Sequence, residues 1–506
     1  MNTSKKMATI LTMLTTTITS VLISVFGLIY NQGILEKYGA EANGLISTLI
    51  QFVNIFAILE GGFNTAATVA VYKPYSEKKY DLVNDILYTV KRYFTKIGVI
   101  ISSGAFAIGI IYICFVDSPY SYLETLILLS ITIGGTGINL VFGNKYNTVF
   151  NGFNQQYIQN NIMFISKFVT WIVSMLLIMM RQSIIWVYLI NSANVVLNAV
   201  ICKYWVKFKL NQVTFRGNYD KRLIQGTNDV FFQKIANTIF TSTDLVLLST
   251  GMGLVYASIY NVYYQIFNMV SNVVSAFVVS PFNSFGQLIN EQNKEKFYQN
   301  FLIYFRLVII VTTSVLMAVT VAILGFVKIY TVNVKDVNYI VPTVAILLFV
   351  QMFLINTNRP FGMLLNITKN FKEQNISTIL AAILNIVISV IMMKILGIQG
   401  IIIGSIVGVS IILFVNIYKC NKYGLIKDCG KIVWDICLNL AVGILGVISV
   451  YKYIPYYTNN IFIWFIVSIV EFIIVVVIIF IVNMLIEKKQ TINAVVFVLN
   501  LIKRRR

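Results

Sequence analysis

The feature that most constrains this chain is a succession of apolar runs, each about 20 to 28 residues long, separated by short segments that collect its charges. Roughly 20 apolar residues carry a helix across the hydrocarbon core of a bilayer. Within lipid every backbone N–H and C=O must find its partner inside the protein, so only helices and closed barrels can cross. Strands of a membrane barrel would alternate over about 10 residues, and no such alternation occurs here. The chain therefore reads as an all-α polytopic membrane protein. Its composition agrees: 58% of its 506 residues are hydrophobic and 11% are charged, too few charges to coat a soluble domain of that size. About fourteen spans are expected, near 8–31, 44–72, 90–116, 123–150, 159–180, 183–205, 229–250, 254–285, 301–329, 339–366, 376–396, 399–419, 432–453 and 460–486.

The charges support that count. Lys and Arg number 39 against 19 acids, a net +20. They lie in clusters between apolar runs rather than on one domain face, which argues against nucleic acid and for membrane topology or anionic headgroups. With the N-terminus inside, about 33 of the 39 fall on the cytoplasmic side. Only Lys37, Arg181, Lys328, Lys335, Lys394 and Lys452 fall outside. One misplaced span would scramble this alternation, so both termini are expected in the cytoplasm. Lys5 and Lys6 precede the first run, which lacks a small-residue cleavage site and reads as a span rather than a signal peptide.

Several chemistries drop out. The chain has no histidine, and its five cysteines show no metal-type spacing, so no metal or cofactor is expected. No loop exceeds roughly 25 residues, which leaves no room for a nucleotide-binding fold. The longest cytoplasmic connection, near 206–228, divides the first twelve spans into two sets of six. The expected organisation is an N-terminal lobe over 1–215, a C-terminal lobe over 216–425, and two additional helices with a basic tail over 426–506. An even number of spans per half is the condition for a parallel repeat. Gln51 and Asn54 in QFVN of the second span match Gln265 and Asn268 in QIFN of the eighth, at corresponding places in the two halves.

Polar residues inside the spans carry the functional signal. The eighth span holds Asn261, Gln265, Asn268, Asn272 and Ser275, spaced by four, three, four and three, which puts all five on one face. That stripe runs roughly 21 Å. The second span has Gln51, Asn54, Gly61, Thr65 and Thr68, and the seventh has Lys234, Asn237, Thr241 and Asp244. Such faces serve either as interhelical glue or as the wall of a wet cavity that offers donors and acceptors to sugar hydroxyls. Charges deep in spans are costly and mark sites by default; they are Glu60, Lys167, Asp244 and Glu471. Glu471 is expected to be paired structurally. Lys145, Lys234, Arg306 and Arg359 lie nearer span ends and either snorkel or bind ligand. Tyr256, Tyr260, Tyr263 and Phe267 form an aromatic stripe on another face of the eighth span, expected to pack or to contact lipid rather than to bind sugar.

Several segments resemble a known family: YGAEANGLIS at 38–47, ILEGGFNTAA at 58–67, VYKPYSE at 71–77, STDLVLLS at 242–249, YNVYYQIFNMVSN at 260–272 and LNIVISVIMMKILGIQGIIIGSIVG at 384–408. In order and spacing, over about residues 8 to 420, they resemble bacterial oligosaccharide flippases. These form the polysaccharide transporter branch of the multidrug/oligosaccharidyl-lipid/polysaccharide (MOP) superfamily. The resemblance implies two six-helix lobes in a V, resembling multidrug (MATE) transporters, with alternating access around a central cavity. It implies no enzyme, but a flippase that moves undecaprenyl-diphosphate-linked oligosaccharide repeat units to the outer leaflet of the bacterial cytoplasmic membrane for cell-surface polysaccharide biosynthesis. Partners would be that lipid-linked oligosaccharide, membrane lipids, and the polymerase and glycosyltransferases of the same pathway. Lipid II flippases of the superfamily place cavity arginines on the diphosphate, whereas this chain has no arginine deep in its first, second, seventh or eighth span. Lys145, Lys234 and Arg359 are the diphosphate candidates by charge. Asp244 and Glu60 are the candidates for coupling to H⁺ or Na⁺. Two rivals stand beside this reading: a cation-coupled multidrug exporter of the same superfamily, and a membrane glycosyltransferase or polysaccharide polymerase. The second would need acidic motifs in an extended outer loop, and the outer acids Glu36, Glu41, Asp117, Glu124 and Asp336 form no such pair.

Overall fold

A computed structural model describes residues 2–57, 63–224, 242–279, 281, 285, 294–368, 371–453 and 458–503. Among these residues there is no β-strand. Among the same residues, twelve helices are long and apolar enough to cross a membrane. One of them, Thr15–Phe56, is two crossings in one. Gly39 interrupts it with φ 86°, a conformation open to glycine because it has no Cβ. Asn43 Nδ2 then donates to Asn31 Oδ1 at 2.6 Å. In a continuous helix residues twelve apart would lie about 18 Å from one another, so the chain folds back on itself at Gly39. The expected seventh span lies mostly outside the described residues, of which 242–251 are helical. Over their described residues the other expected spans are helical apart from their ends, 123–150 and 183–205 each as consecutive helical segments.

The chain divides into two compact units, Met1–Ile259 and Tyr260–Arg506. In the first unit the opening helix packs on Gln156–Met179, and Tyr80–Ile113 packs on Tyr122–Ile138. A π-helical turn, Asn139–Gly143, carries the latter on into Asn144–Gly152. One apolar cluster gathers Tyr30, Leu45, Leu49, Tyr112, Leu128 and Tyr188. A second gathers Val71, Leu87, Phe94, Val149, Phe150 and Cys202.

Tyr80–Ile113 begins ten residues before the apolar run expected at 90. Its early turns bury Val83, Ile86, Leu87 and Val90 at helical spacing, so packing extends the helix beyond the apolar run. The long connection over 210–224 is tied to those same turns. Asn84 donates to the Gln212 carbonyl and accepts from the Thr214 N–H, both at 2.8 Å. Asp85 accepts from the Asn218 N–H at 2.6 Å and Thr89 from the Asp220 N–H at 3.1 Å. The segment that reads in sequence as a linker is thus a strap across the first unit.

In the second unit Phe371–Leu396 and Ile398–Lys422 form a tight hairpin, against which Pro342–Ile367 packs. A Cβ on Gly404 would collide with the Ser389 hydroxyl, so small residues set the close approach of this pair. Cys429–Tyr453 and Ile461–Ile486 both pack on Lys294–Tyr330. A buried polar cluster ties the three together. Arg306, which the sequence placed near a span end with freedom to snorkel, is only 1% exposed and meets Asp435 at 2.8 Å. Its other amino group donates to Asn483 Oδ1 at 3.0 Å. Asn483 in turn donates to Asn439 at 2.9 Å, and Lys431 pairs with Glu487 at 2.5 Å nearer the helix ends. The partners of Arg306 come from spans more than a hundred residues downstream, which is why a reading of its own helix missed them.

Truncating Arg306 to Ala would strand Asp435 as an uncompensated buried charge. The expected cost is about 3–5 kcal/mol, seen as a lower unfolding temperature in detergent. The double change Arg306→Met with Asp435→Leu should recover most of that loss. Equal instability of the single and double variants would show that the pair does not hold these helices.

Candidate functional site

The helix Leu254–Val279 organises the candidate site. Tyr260, Tyr263, Phe267, Ser271, Val274 and Val278 are buried along one side at spacings of three and four. Tyr263 donates to the Tyr339 carbonyl at 2.8 Å and accepts from the Val341 N–H at 3.0 Å. The aromatic stripe is therefore packing, as expected, apart from Tyr256, which is exposed. On the flank of this buried side the amide stripe divides. Asn261 is buried, Gln265 is half-buried, and Asn268 and Asn272 are exposed.

The lower end of the stripe meets a cation. Arg359 of Pro342–Ile367 donates to Ser275 Oγ at 2.6 Å. Its Nε is buried without a hydrogen-bond partner, and no carboxylate pairs with it among the described residues. One turn up, Asn356 Nδ2 donates to Ser271 Oγ at 2.8 Å and to the carbonyl of Met352 at 2.8 Å. On its other side the same helix is joined to Ile398–Lys422 through Asn416 and Asn358 at 2.9 Å. These contacts fix the arginine-bearing helix on both flanks. Sequence reading named only Arg359 from it; the polar run Gln351, Asn356, Asn358, Arg359 was the signal available for the rest.

In the first unit Gln51 is half-buried and Asn54 exposed, with Asn54 Nδ2 3.4 Å from Gln51 Oε1. QFVN and QIFN thus share a surface pattern, the glutamine partly covered and the asparagine open, as well as a sequence. Thr68, placed on the same stripe, is buried. Asp244 is also buried, 2% exposed, among Ser242, Leu245 and Leu248. Glu60, Lys234, Asn237 and Thr241 lie outside the described residues.

Near the break at Gly39, a Cβ on Gly44 would strike the carbonyl oxygen of Leu254, so backbone passes directly over backbone there. Ser258 donates to Asn43 Oδ1 at 3.0 Å beside it, and the hydroxyls of Tyr112 and Ser249 lie 2.8 Å apart.

Lys145 is half-buried with its ammonium 5.1 Å from the Tyr146 ring centre, 5.7 Å from Phe215 and 5.8 Å from Phe142. Ring faces supply part of the solvation that a cation loses on burial, which gives Lys145 a structural role beside any ligand contact. Phe215 belongs to the strap. Glu471, expected to be paired, has no hydrogen bond or ion pair among the described residues. It sits on Ile461–Ile486, most of whose surface is exposed aliphatic carbon.

No protein-family profile matches this sequence, and no curated protein matches it. Solved structures do match in fold. A structure described as lipid II flippase MurJ in an inward closed conformation superposes with a TM-score of 0.69 at 14% identity, covering 91% of this chain and 97% of its own. An inward-facing multidrug resistance MATE family transporter of the MOP superfamily gives 0.60 at 12% identity, covering 87% and 99%. A MOP superfamily transporter from Pyrococcus furiosus gives 0.52 at 14% identity, covering 85% and 96%. The chain has the fold shared by MOP superfamily flippases and transporters. These neighbours are not enzymes, consistent with the reading from sequence.

The two classes of amide separate experimentally. Asn356→Leu is expected to cost about 1 kcal/mol of stability, because it removes an interhelical hydrogen bond at membrane depth. Asn268→Leu and Asn272→Leu should unfold at the wild-type temperature. Thermal unfolding in one detergent compares all three, and a large loss from Asn268→Leu would place that residue among the structural contacts.

Proposed function

We propose that this protein is a flippase for undecaprenyl-diphosphate-linked oligosaccharide repeat units. It acts in the bacterial cytoplasmic membrane, with both termini in the cytoplasm, and supplies cell-surface polysaccharide biosynthesis. The observation that carries this reading is the pairing of exposed amides with an unneutralised cation. Asn268 and Asn272 lie open on one helix, and at the end of their stripe Arg359 holds a charge that no carboxylate among the described residues pairs with. A diphosphate needs cationic donors, and sugar hydroxyls need neutral donors and acceptors. An organic cation would be repelled by Arg359, and the acid Asp244 is buried. The fold likeness to MurJ and to multidrug transporters accommodates either cargo; the sign of the charge favours the anionic one.

The headgroup moves along the accessible amide faces while the prenyl tail remains in lipid. Desolvation dictates this division, because hydroxyls and phosphates entering hydrocarbon unpaired would each lose several kcal/mol. Arg359 engages the diphosphate, with Lys145 and Lys234 as further cationic candidates. Asp244 or Glu60 couples transport to a gradient of H⁺ or Na⁺. Glycosyltransferases that build the repeat unit and a polymerase that consumes it would act before and after this step.

In vesicles containing undecaprenyl-diphosphate-linked oligosaccharide, Arg359→Gln should slow flipping roughly 10- to 100-fold, the worth of one hydrogen bond to a charged group. Wild-type flipping rates with Arg359→Gln would remove it from the headgroup path. Ion-coupled efflux of cationic dyes without any flipping would identify a drug exporter instead. Asp244→Asn and Glu60→Gln are each expected to abolish ion dependence if that residue couples. Unchanged ion dependence in both variants would eliminate ion coupling through these two acids.

A further inference from the structure

We infer that the outward face of the Tyr80–Ile113 helix binds an anionic phospholipid of the leaflet beside the lysine-rich loops, independently of the transported substrate. An open groove of about 660 Å³ lies along this face, lined by Tyr88, Lys91, Arg92, Thr95, Lys96, Val99 and Ile100. Their spacing keeps them on one side of the helix over about three turns. The polarity is ordered along the axis. Three cations occupy the first part, and beyond them the same side exposes Val99, Ile100 and Phe106. No charge follows Lys96 before the helix ends at Ile113, about 21 Å beyond Val99, which is hydrocarbon depth. Lys91, Arg92 and Lys96 therefore sit where lipid phosphates lie.

Among the described residues no acid pairs with these cations. Lys91 and Lys96 form no ion pair among the described residues, and Arg92 has only the Tyr88 hydroxyl at 3.0 Å and the face of its ring at 5.5 Å. The nearby acid Asp85 is occupied by the backbone of the strap. The groups that act electrostatically on neighbouring Lys145 are Lys91 and Lys203, both of the same sign. Three accessible cations above an apolar slope match a phosphodiester headgroup with its acyl chains running down the helix. A soluble anion would leave the slope uncovered. Arg supplies a forked donor and Lys a mobile point charge, a combination suited to one phosphate group.

The test uses the full-length protein in detergent, titrated with phosphatidylglycerol and separately with phosphatidylcholine, with bound lipid counted by native mass spectrometry. The variant Lys91→Gln/Arg92→Gln/Lys96→Gln should bind phosphatidylglycerol roughly a hundredfold more weakly. Phosphatidylcholine should bind weakly to both proteins. The control Lys207→Gln/Lys209→Gln, on another helix, should bind phosphatidylglycerol as wild type does. All changed residues are accessible, so folding is checked by unchanged gel-filtration profiles and helical circular dichroism. Equal binding by the groove variant, or equal loss in the control, would overturn the inference. So would displacement of phosphatidylglycerol by equimolar undecaprenyl diphosphate, which would assign the groove to the substrate. Lipid counting does not depend on transport, so this outcome is separate from that of the flipping assay.

Discussion

A polar group inside hydrocarbon must find its partner within the protein or leave the lipid, and nearly every feature of this structure answers to that demand. Hydroxyls in the spans bend back to their own helix, as when Thr48 bonds the Gly44 carbonyl, Thr132 that of Leu128 and Thr313 that of Ile309. Amides cannot be satisfied so cheaply. They also cross to a neighbouring helix, as Asn385 does to Ser405 and Asn416 to Asn358. Each such bond ties two spans at a defined register where apolar packing against lipid-like side chains alone would specify little.

Two arginines at membrane depth show how the same demand yields structure in one place and function in another. Arg306 is enclosed by a carboxylate and side-chain amides and so becomes part of the scaffold that holds the last two spans. Among the described residues Arg359 has one serine hydroxyl, an orphaned Nε and no carboxylate. Its charge is the one the proposed function assigns to the substrate. The exposed asparagines beside Ser275 extend that unanswered polarity along the helix, in contrast to Asn356, which is buried and doubly bonded.

Much of the fold was legible because membrane helices announce themselves by length and composition. The spans, the paired QFVN and QIFN segments, and the packing role of Tyr260, Tyr263 and Phe267 could all be read from local pattern. The misreadings share one cause. Arg306 was judged by its distance from a span end, yet its partner is 129 positions away in sequence. Glu471 was expected to have a partner, yet its helix faces carbon. The 210–224 strap looked like a linker because the residues that hold it, Asn84, Asp85 and Thr89, lie on a helix whose start was placed ten residues late. Within the candidate stripe, periodicity put Asn261 with Asn268 and Asn272, and only packing separates the buried amide from the open ones.

By itself the sequence determined the class of molecule. Twenty-residue apolar runs admit a single secondary structure in a bilayer, and lysine-rich connections impose an alternation on the order of crossings. Tertiary structure alone decided which polar side chains are spent on holding helices together and which stay available. That choice depends on what stands opposite each residue, often more than a hundred positions away, and a helix carries the same stripe of asparagine whether it faces a serine, a neighbour's carbonyl or water.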